Sequence, residues 1–414
     1  MITIASHLEN LAFMPHFPLH LNSLFLFGTI LLLGLIGGEV IKYGRYFPSI
    51  IGFIAIGYLA GPGGLDIANK TVLANTRIFV DISLSLILFE LGRNLSFAWL
   101  RNDRGLLATS ITESLLTLLS VFSVLYFVFD LAWTSSLIAA IIAIATSPAI
   151  VMMVANDLRA EGPVTRRALI LTSLNNLIAL TLFILVLPLT EKIPPTAFTF
   201  ILYSGYRLLG SILLGLLVFL ATVQIGKLIG KEKESQFVLI VGSVVLTIGC
   251  AYMLKLPSMM SLFILGMAVR NFDYKHILME LDFGWLARLF FILLFVVTGV
   301  QLNLKGLWEA SLAVGLFLLV RLVAKTVGIC LFAKSNRMTQ KQTIALSLAL
   351  FPMAGVALGM SNILSDFNPE FSQRTLEIVS AVIAILNIIG PIFTQIAFVV
   401  TGEALATVKQ GGIE

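Results

Sequence analysis

Long apolar runs recur along the chain between Leu21 and Val400. Because a helix needs about 20 mainly apolar residues to cross the hydrocarbon of a bilayer, these runs predict membrane spans. We predict about thirteen of them, and the second and the ninth are unusually short. The predicted spans are residues 21–40, 47–60, 79–95, 106–129, 135–154, 168–189, 198–225, 237–253, 258–269, 285–302, 312–332, 343–364 and 376–400. The expected fold class is an all-α polytopic membrane protein.

The low charge content supports this interpretation. Charged residues make up 12% of the chain and hydrophobic residues 58%, whereas a soluble protein carries roughly 25% charged residues. This composition excludes most soluble enzymes and nucleic-acid-binding proteins. No motif combines a nucleophile, a base and an orienting group, and the two cysteines and four histidines lack the spacing of metal ligands. We therefore predict no enzymatic activity, no catalytic residues, no metal site and no cofactor.

Lysine and arginine are distributed unevenly between the loops. Loops after odd-numbered spans and the C-terminal tail contain Lys42, Arg45, Arg101, Arg104, Arg159, Arg166, Arg167, Lys227, Lys231, Lys233, Arg270, Lys275, Lys334, Arg337, Lys341 and Lys409. The other loops contain only Lys70, Arg77, Lys192, Lys255, Lys305 and Arg374. Because short cytoplasmic loops are enriched in basic residues, we predict an outside N-terminus and a cytoplasmic C-terminus. Residues 1–20 would then form an extracytoplasmic extension, 21–400 the transmembrane domain and 401–414 a short cytoplasmic tail. The first twenty residues contain no lysine or arginine, which is unlike a secretory signal peptide.

Three landmarks recur in the same order in the two halves of the chain. A glycine lies near the end of each short span, another glycine lies in the next span, and a proline interrupts a later one. The pairs are Gly57 and Gly266, Gly92 and Gly299, and Pro148 and Pro352. Corresponding spans are seven positions apart, so equivalent helices cross the bilayer in opposite directions. We expect an inverted repeat of residues 21–190 and 237–400, joined by a linker helix at 198–225.

The two prolines predict broken helices at spans five and twelve. Matched breaks in inverted repeats are typical of secondary transporters, whose ion sites lie between the exposed half-helix ends. A single proline in a membrane helix is more often a simple kink, and it is the matched pair that favours a site.

Few polar groups lie inside the predicted spans. Thr172, Asn175 and Asn176 share one face of span six, where they serve either as an ion site or as hydrogen-bonding contacts between helices. Ionisable residues inside a membrane are functional candidates. Those nearest the span centres are Glu90, Arg93, Glu113, Arg321 and Lys325. Glu90 and Arg93 are close enough in sequence to pair with each other, whereas Arg321 and Lys325 need a partner from another helix.

At these residues the chain resembles the bacterial cation:proton antiporter family, which contains the sodium/hydrogen exchanger domain. The resemblance extends over most of the chain and depends on the order and spacing of six motifs. They are Gly-Tyr-Leu-Ala-Gly-Pro at 57–62, Phe-Glu-Leu-Gly-Arg at 89–93, Thr-Ser-Pro-Ala at 146–149, Ala-Glu-Gly-Pro-Val-Thr at 160–165, Asn-Asn at 175–176 and Phe-Pro-Met-Ala-Gly at 351–355.

The resemblance implies a homodimer in the bacterial inner (cell) membrane, with unwound fifth and twelfth helices that cross near the membrane centre. The sixth helix of the family usually carries an Asp-Asp or Asn-Asp pair that binds cation and proton. This chain has Asn175 and Asn176 there, so the expected carboxylate is missing. The basic residue of the eleventh helix matches Lys325 best and Arg321 second.

We predict a secondary transporter that exchanges a monovalent cation, sodium or potassium, for protons by alternating access, with the lipid bilayer as its surroundings and no nucleic-acid partner. The predicted ion-binding residues are Asn175, Asn176, Thr146, Ser147, Pro148 and Pro352. The predicted charge partners and candidate proton carriers are Lys325, Arg321, Glu90, Arg93 and Glu113. Because asparagine cannot release a proton near neutral pH, one of these ionisable groups has to carry it. The missing aspartate leaves two alternatives, namely a transporter of another solute such as an anion and a transport-inactive membrane sensor.

Overall fold

A computed structural model describes residues 23–43, 47–65, 70–191, 196–273, 277–278, 284–302, 311–368 and 373–404. The predicted N-terminal extension and most of the predicted tail lie outside these ranges. The described residues form helices and connecting segments, without a β-strand. The helices are α1 (Ser23–Tyr43), α2 (Ser49–Ala60), α3 (Lys70–Arg93), α4 (Phe97–Asn102), α5 (Arg104–Ser123), α6 (Trp133–Ile144), α7 (Pro148–Leu158), α8 (Pro163–Val186), α9 (Ala197–Ile229), α10 (Lys233–Met253), α11 (Ser258–Phe272), α12 (Gly284–Val300), α13 (Ser311–Leu331), α14 (Gln340–Ala349), α15 (Gly355–Phe367) and α16 (Gln373–Val400).

The predicted all-α membrane fold is confirmed. Among the described residues, seven helical segments are long and apolar enough to cross a membrane, and shorter apolar helices accompany them. Each predicted span coincides with one helix or with one interrupted pair of helices, although the number of crossings stays a prediction. Some boundaries differ by several residues: α3 begins at Lys70 rather than at residue 79, and α8 begins at Pro163 rather than at residue 168. The helix α5 ends at Ser123 and continues as a π-helical turn, Val124–Val128.

The helices pack into two bundles. The broken-helix bundle contains α5 to α8 and α13 to α16, and the straight-helix bundle contains α1 to α3 and α9 to α12. Within each bundle the helices pack extensively, α5 against α13 and α3 against α11 being examples, whereas the contacts between bundles are sparse. Each half of the chain contributes helices to both bundles, as an inverted repeat requires.

The repeated glycines mark equivalent close contacts in the straight-helix bundle. A Cβ added at Gly57 would meet the backbone of Gly299, so α2 and α12 approach each other at these two residues. A Cβ added at Gly92 would overlap the backbone of α11 at Phe263, and one at Gly266 would overlap the backbone of α3 at Phe89. When each glycine is replaced by its counterpart in the other half of the chain, one contact becomes the other. The glycines therefore recur because each is needed where two helix backbones approach within a side-chain width.

The two prolines interrupt their helices as predicted. Pro148 lacks a backbone N–H and excludes helical geometry for the residue before it, so α6 ends at Ile144 and α7 starts at Pro148. The Ser147 side chain caps α7 by accepting a hydrogen bond from the Ile150 N–H at 3.3 Å. The second break, at residues 350–354, contains Pro352 and separates α14 from α15. The backbone N–H of Ser147 donates to the Pro352 carbonyl at 2.9 Å, which joins the two breaks.

Side-chain contacts assemble the loops into two opposite ends of the molecule. One end is formed by the loops that follow odd-numbered spans and carry most of the lysine and arginine, and we call it the basic end. There, Asn336 donates a hydrogen bond to Thr109, and Asn271 donates one to the Leu95 carbonyl. Glu403, after α16, accepts hydrogen bonds from the first turn of α8 at the same end. These contacts join loops that follow odd-numbered spans, in agreement with the alternation of crossings. At the opposite end, Tyr206 donates to the Leu254 carbonyl at 2.8 Å.

Candidate ion-binding site

The polar residues inside the broken-helix bundle form one connected cluster beside the two breaks. Glu113 comes from α5, Asn175 and Asn176 from α8, and Arg321 and Lys325 from α13. All five side chains are fully buried. Burying polar groups in this way costs free energy unless partners satisfy them, so the partners of each group define the site.

Lys325 and Glu113 form a buried ion pair. The Lys325 Nζ lies 2.9 Å from Glu113 Oε2 and 3.2 Å from Oε1. It also donates to the Ile144 carbonyl at 3.2 Å and to Thr146 Oγ1 at 3.3 Å, both at the first break. Burying either charge alone would cost several kcal/mol, and the attraction between them offsets much of that penalty.

Asn175 orients the Glu113 carboxylate. Its Nδ2 donates to Glu113 Oε1, and its Oδ1 accepts a hydrogen bond from Ser110 Oγ at 2.8 Å. Ser110 lies three residues before Glu113, on the same face of α5. The Asn175 amide therefore bridges two groups of one helix and holds the carboxylate toward Lys325.

Asn176 faces the first break. Its Nδ2 donates to the Thr146 carbonyl at 2.6 Å and to the Thr172 carbonyl at 2.8 Å. Its Oδ1 accepts no hydrogen bond from any residue that the structure describes, and the same holds for the buried Thr172 Oγ1 nearby in the same helix. A buried polar atom without a partner costs about 1–3 kcal/mol. Two such oxygens beside a helix break are what a dehydrated cation would coordinate.

Arg321 occupies the backbone carbonyls that the breaks release. Its Nε donates to the Ala143 carbonyl at 2.8 Å and its Nη2 to the Ala145 carbonyl at 2.9 Å. Its Nη1 donates to the Phe351 carbonyl at 2.6 Å, in the second break. One guanidinium thus connects both broken helices, which its planar set of five donors allows. This arrangement favours a structural role for Arg321 and leaves Lys325 as the cation paired with the carboxylate.

The structure does not bring Glu90 and Arg93 into this cluster. They lie near the end of α3 in the other bundle, where Arg93 Nη1 pairs with Glu90 Oε2 at 3.0 Å. They line a separate cavity at the basic end. Of the five predicted charge partners, Glu113, Arg321 and Lys325 are therefore brought together, and Glu90 and Arg93 are not. The crossing of the two broken helices contains the other four predicted residues, Thr146, Ser147, Pro148 and Pro352. The sequence analysis missed Ser110, which its position one turn before Glu113 could have indicated.

A buried lysine–carboxylate pair beside two crossed, broken helices, in a fold made of inverted repeats, defines the class of secondary ion transporters. The chain belongs to the sodium/hydrogen exchanger family, since the family model described as "Sodium/hydrogen exchanger, transmembrane" matches residues 27–400. The family resemblance that the sequence motifs indicated is thereby confirmed. The family is one of transporters, whose members exchange a monovalent cation for protons.

Solved structures agree with this assignment. A structure of the sodium proton antiporter MjNhaP1 from Methanocaldococcus jannaschii at pH 8 is 18% identical, with a TM-score of 0.69, and the match covers 92% of this chain and 98% of that one. An electron microscopy map of the same antiporter gives 19% identity and a TM-score of 0.68 over 95% and 99% of the two chains. At these identities the likeness shows the fold. No curated protein matches the sequence significantly.

Proposed function

We propose that this protein exchanges a monovalent cation, sodium or potassium, for protons and that Glu113 supplies the carboxylate that the Asn175–Asn176 pair lacks. The observation that carries the proposal is the fully buried Glu113 carboxylate, 2.9 Å from Lys325 Nζ and bonded to Asn175. The family assignment supports cation–proton exchange as the activity. The MjNhaP1 structures, titled as those of a sodium proton antiporter, support the same direction.

In the proposed mechanism, a cation and Lys325 compete for Glu113. With Lys325 protonated, the carboxylate is neutralised by the ammonium group. An arriving cation replaces the ammonium as partner of Glu113, and Lys325, now facing a like charge in a low-dielectric interior, gives up its proton. Counted together with the bound cation, the Glu113–Lys325 pair has the same net charge, zero, before and after exchange, which explains why one carboxylate suffices for both ions.

The remaining ligands of the cation follow from the contacts around Glu113. Lys325 touches both Glu113 and Thr146, while Asn176 touches Thr146 and Thr172. The groups therefore form a continuous path of oxygens from α5 to α8. We propose that the unpartnered Asn176 Oδ1 and Thr172 Oγ1 join Glu113 as cation ligands. Thr146 contributes its carbonyl, and Ser147, Pro148 and Pro352 hold the crossing that presents it.

Alternating access would arise from movement of the broken-helix bundle against the straight-helix bundle. A cavity of about 320 Å³ opens between the bundles at the opposite end, and Asp81, Gln301 and Asn362 contribute to its polar lining. At the basic end, Asp157 of α7 pairs with Lys42 at 3.8 Å and accepts a hydrogen bond from Ser49. We infer that the two ends open alternately as the bundles move relative to each other.

We further propose a cytoplasmic basic end with the N-terminus outside, as the loop charges indicate. A bacterial inner membrane and a homodimer are proposed from the family resemblance. The anion-transporter and inactive-sensor alternatives originated from the missing aspartate. The carboxylate of Glu113 replaces the missing aspartate and so removes the reason for both alternatives. The family assignment favours neither alternative.

The test is exchange in proteoliposomes with a preset pH gradient, followed by pulses of sodium, potassium or lithium. We expect the wild-type chain to collapse the gradient and Glu113→Gln to be inactive. The matched control is Glu39→Gln, which removes a half-exposed carboxylate paired with Arg288 in the straight-helix bundle and should leave exchange intact. Exchange that survives in Glu113→Gln would refute the role of this carboxylate, and no response to any of the three cations would refute cation exchange.

Aspartate variants separate the two asparagines. Asn175→Asp would place a second carboxylate against Glu113, so we expect the two to share a proton and cation affinity to change with pH. Asn176→Asp adds a charge at the oxygen that has no partner, so we expect tighter cation binding. Equal behaviour of the two variants in the flux assay would argue against this division of roles.

A further inference from the structure

Exposed aromatic side chains lie together where α5 ends, at the end of the molecule opposite the basic end. The π-helical turn Val124–Val128 extends α5 there, and Tyr126, Phe127 and Val128 of this turn are all exposed. Trp133, the first residue of α6, is exposed as well. The proposed exchange mechanism uses none of these residues, so this surface needs its own explanation.

Two of the rings form a corner that fits a cation. The rings of Tyr126 and Phe127 are nearly perpendicular, with an interplanar angle of 76° and centroids 4.9 Å apart. Phe122, one turn earlier, stacks on Tyr126 at a centroid distance of 5.5 Å and supports it. The faces of aromatic rings attract ammonium groups, and rings set at different angles form the cages that bind ammonium ligands. We call Tyr126 and Phe127 the aromatic corner.

A carboxylate lies directly after the aromatic corner. Asp130 is exposed, and both of its neighbours are bonded to the π-helical turn. The Phe129 N–H donates to the Val124 carbonyl at 3.3 Å, and the Leu131 N–H donates to the Leu125 carbonyl at 3.1 Å. These bonds hold Asp130 next to the end of α5 that carries the corner.

The charge of Asp130 favours a cationic partner. A negative charge at the C-terminal end of a helix is opposed by the helix dipole. No lysine or arginine occurs in the sequence between Arg104 and Arg159, and in the part of the chain that the structure describes no residue forms an ion pair with Asp130. A cation from outside the chain would therefore be attracted to this carboxylate.

The surface lies at the level of the lipid headgroups. The candidate span Arg104–Val128 is 25 residues long, and its two ends have the residues typical of the two membrane interfaces. Arg101 and Arg104 mark the interface at the basic end, and the exposed Trp133 marks the other one. The cations within reach of Asp130 are therefore those of lipid headgroups.

We propose that the aromatic corner and Asp130 bind the ammonium headgroup of phosphatidylethanolamine. The carboxylate accepts charge-assisted hydrogen bonds from the primary ammonium group, and the faces of the Tyr126 and Phe127 rings attract the same positive charge. The bound lipid anchors the end of α5, the helix that carries Glu113. Binding needs only this surface and does not depend on the exchange function proposed above.

Binding is tested on the full chain in detergent by native mass spectrometry with added phosphatidylethanolamine or phosphatidylglycerol, which lacks the ammonium group. We expect the wild-type chain to bind phosphatidylethanolamine about tenfold more tightly. Asp130→Asn and Phe127→Leu should each remove most of this preference, because each deletes one of the two attractions to the ammonium. Asparagine tolerates the φ of 51° at position 130, so the first variant removes the charge and keeps the turn.

Two variants at the same end of the molecule are matched controls. Phe198→Leu removes a ring of α9 that is 74% exposed, compared with 75% for Phe127, and Glu377→Gln removes an exposed carboxylate of α16. Both should keep the wild-type preference, and so should Phe127→Tyr, which retains an aromatic face. Unfolding temperatures without added lipid verify that every variant folds.

Three results would overturn the proposal. Equal binding of the two lipids to the wild-type chain would mean that the surface contacts lipid without regard to the headgroup. A preference that survives in both Asp130→Asn and Phe127→Leu, or one that the controls lose to the same extent, would place the binding elsewhere. Phosphatidylcholine tests the hydrogen bonds to Asp130, because its quaternary ammonium donates none; it should bind more weakly than phosphatidylethanolamine, and equal binding would exclude the role of the carboxylate as acceptor.

Discussion

The buried ion pair of Glu113 and Lys325 should contribute measurably to folding stability. In Glu113→Gln the shape of the side chain is kept, but Lys325 and Arg321 remain in the bundle without their only nearby carboxylate among the described residues. Removing one partner of a buried ion pair costs about 3–5 kcal/mol of folding stability. Lys325→Met, which leaves Glu113 unpaired, should cost a similar amount. In the double variant neither charge is left without a partner, so its loss of folding stability should be much smaller than the sum of the losses in the two single variants.

The assay is a double-mutant cycle on unfolding free energies in one detergent, with cation exchange measured on the same preparations. We expect a coupling energy of about 3 kcal/mol or more, and no exchange in any of the three variants. Additive effects of the two single variants would refute the argument, because they would mean that the charges do not stabilise each other. Exchange in the double variant would refute the competition mechanism even if the coupling were large.

Three further variants test other parts of the fold by thermal unfolding. Arg321→Lys should cost about 1–3 kcal/mol, because an ammonium cannot reach all three carbonyls at the two breaks, and unchanged stability would contradict that role. Gly92→Ala should cost about 1–3 kcal/mol through overlap with the α11 backbone. The control Gly205→Ala, which has nothing within 4 Å, should not destabilise the protein, because alanine favours a helix more than glycine does. Equal stabilities of the two variants would mean that the close approach is unimportant. Glu403→Ala should cost about 1–2 kcal/mol, because its carboxylate accepts the N–H groups of Val164 and Thr165 at 2.8 and 2.7 Å in the first turn of α8, and a wild-type unfolding temperature would exclude this cap.

Much of the fold was predictable because membrane insertion and helix breaking are governed by local sequence. Apolar length predicts a span, and proline predicts a break, without knowledge of neighbouring helices. The same kind of local reasoning placed Asn176 on one face of span six, with Thr172 and Asn175. It also indicated that Arg321 and Lys325 need partners from other helices, which the structure supplies as backbone carbonyls and as Glu113.

The candidate site was less predictable. Glu90, Arg93 and Glu113 were all sequence candidates, since each is an ionisable residue within a span, and only the three-residue spacing of Glu90 and Arg93 indicated that those two could pair with each other. The structure separates them: Glu90 pairs with Arg93 at the edge of the other bundle, while Glu113 meets Lys325 and Asn175. In this chain the carboxylate beside the breaks comes from α5, although the motif expects it on α8.

The sequence by itself indicated that the chain lives in a membrane, that its two halves are inverted repeats and that the fifth and twelfth predicted spans are broken. These properties depend on apolar length, on order along the chain and on proline, all of which are local. Only the tertiary structure decided which carboxylate faces Lys325 and which carbonyls Arg321 occupies. The partners lie far apart in sequence, and their meeting depends on how helices rotate and pack. An ion pair forms only where two charged groups lie a few ångströms apart, and the spacing of residues along one helix does not specify their distance from residues on another helix.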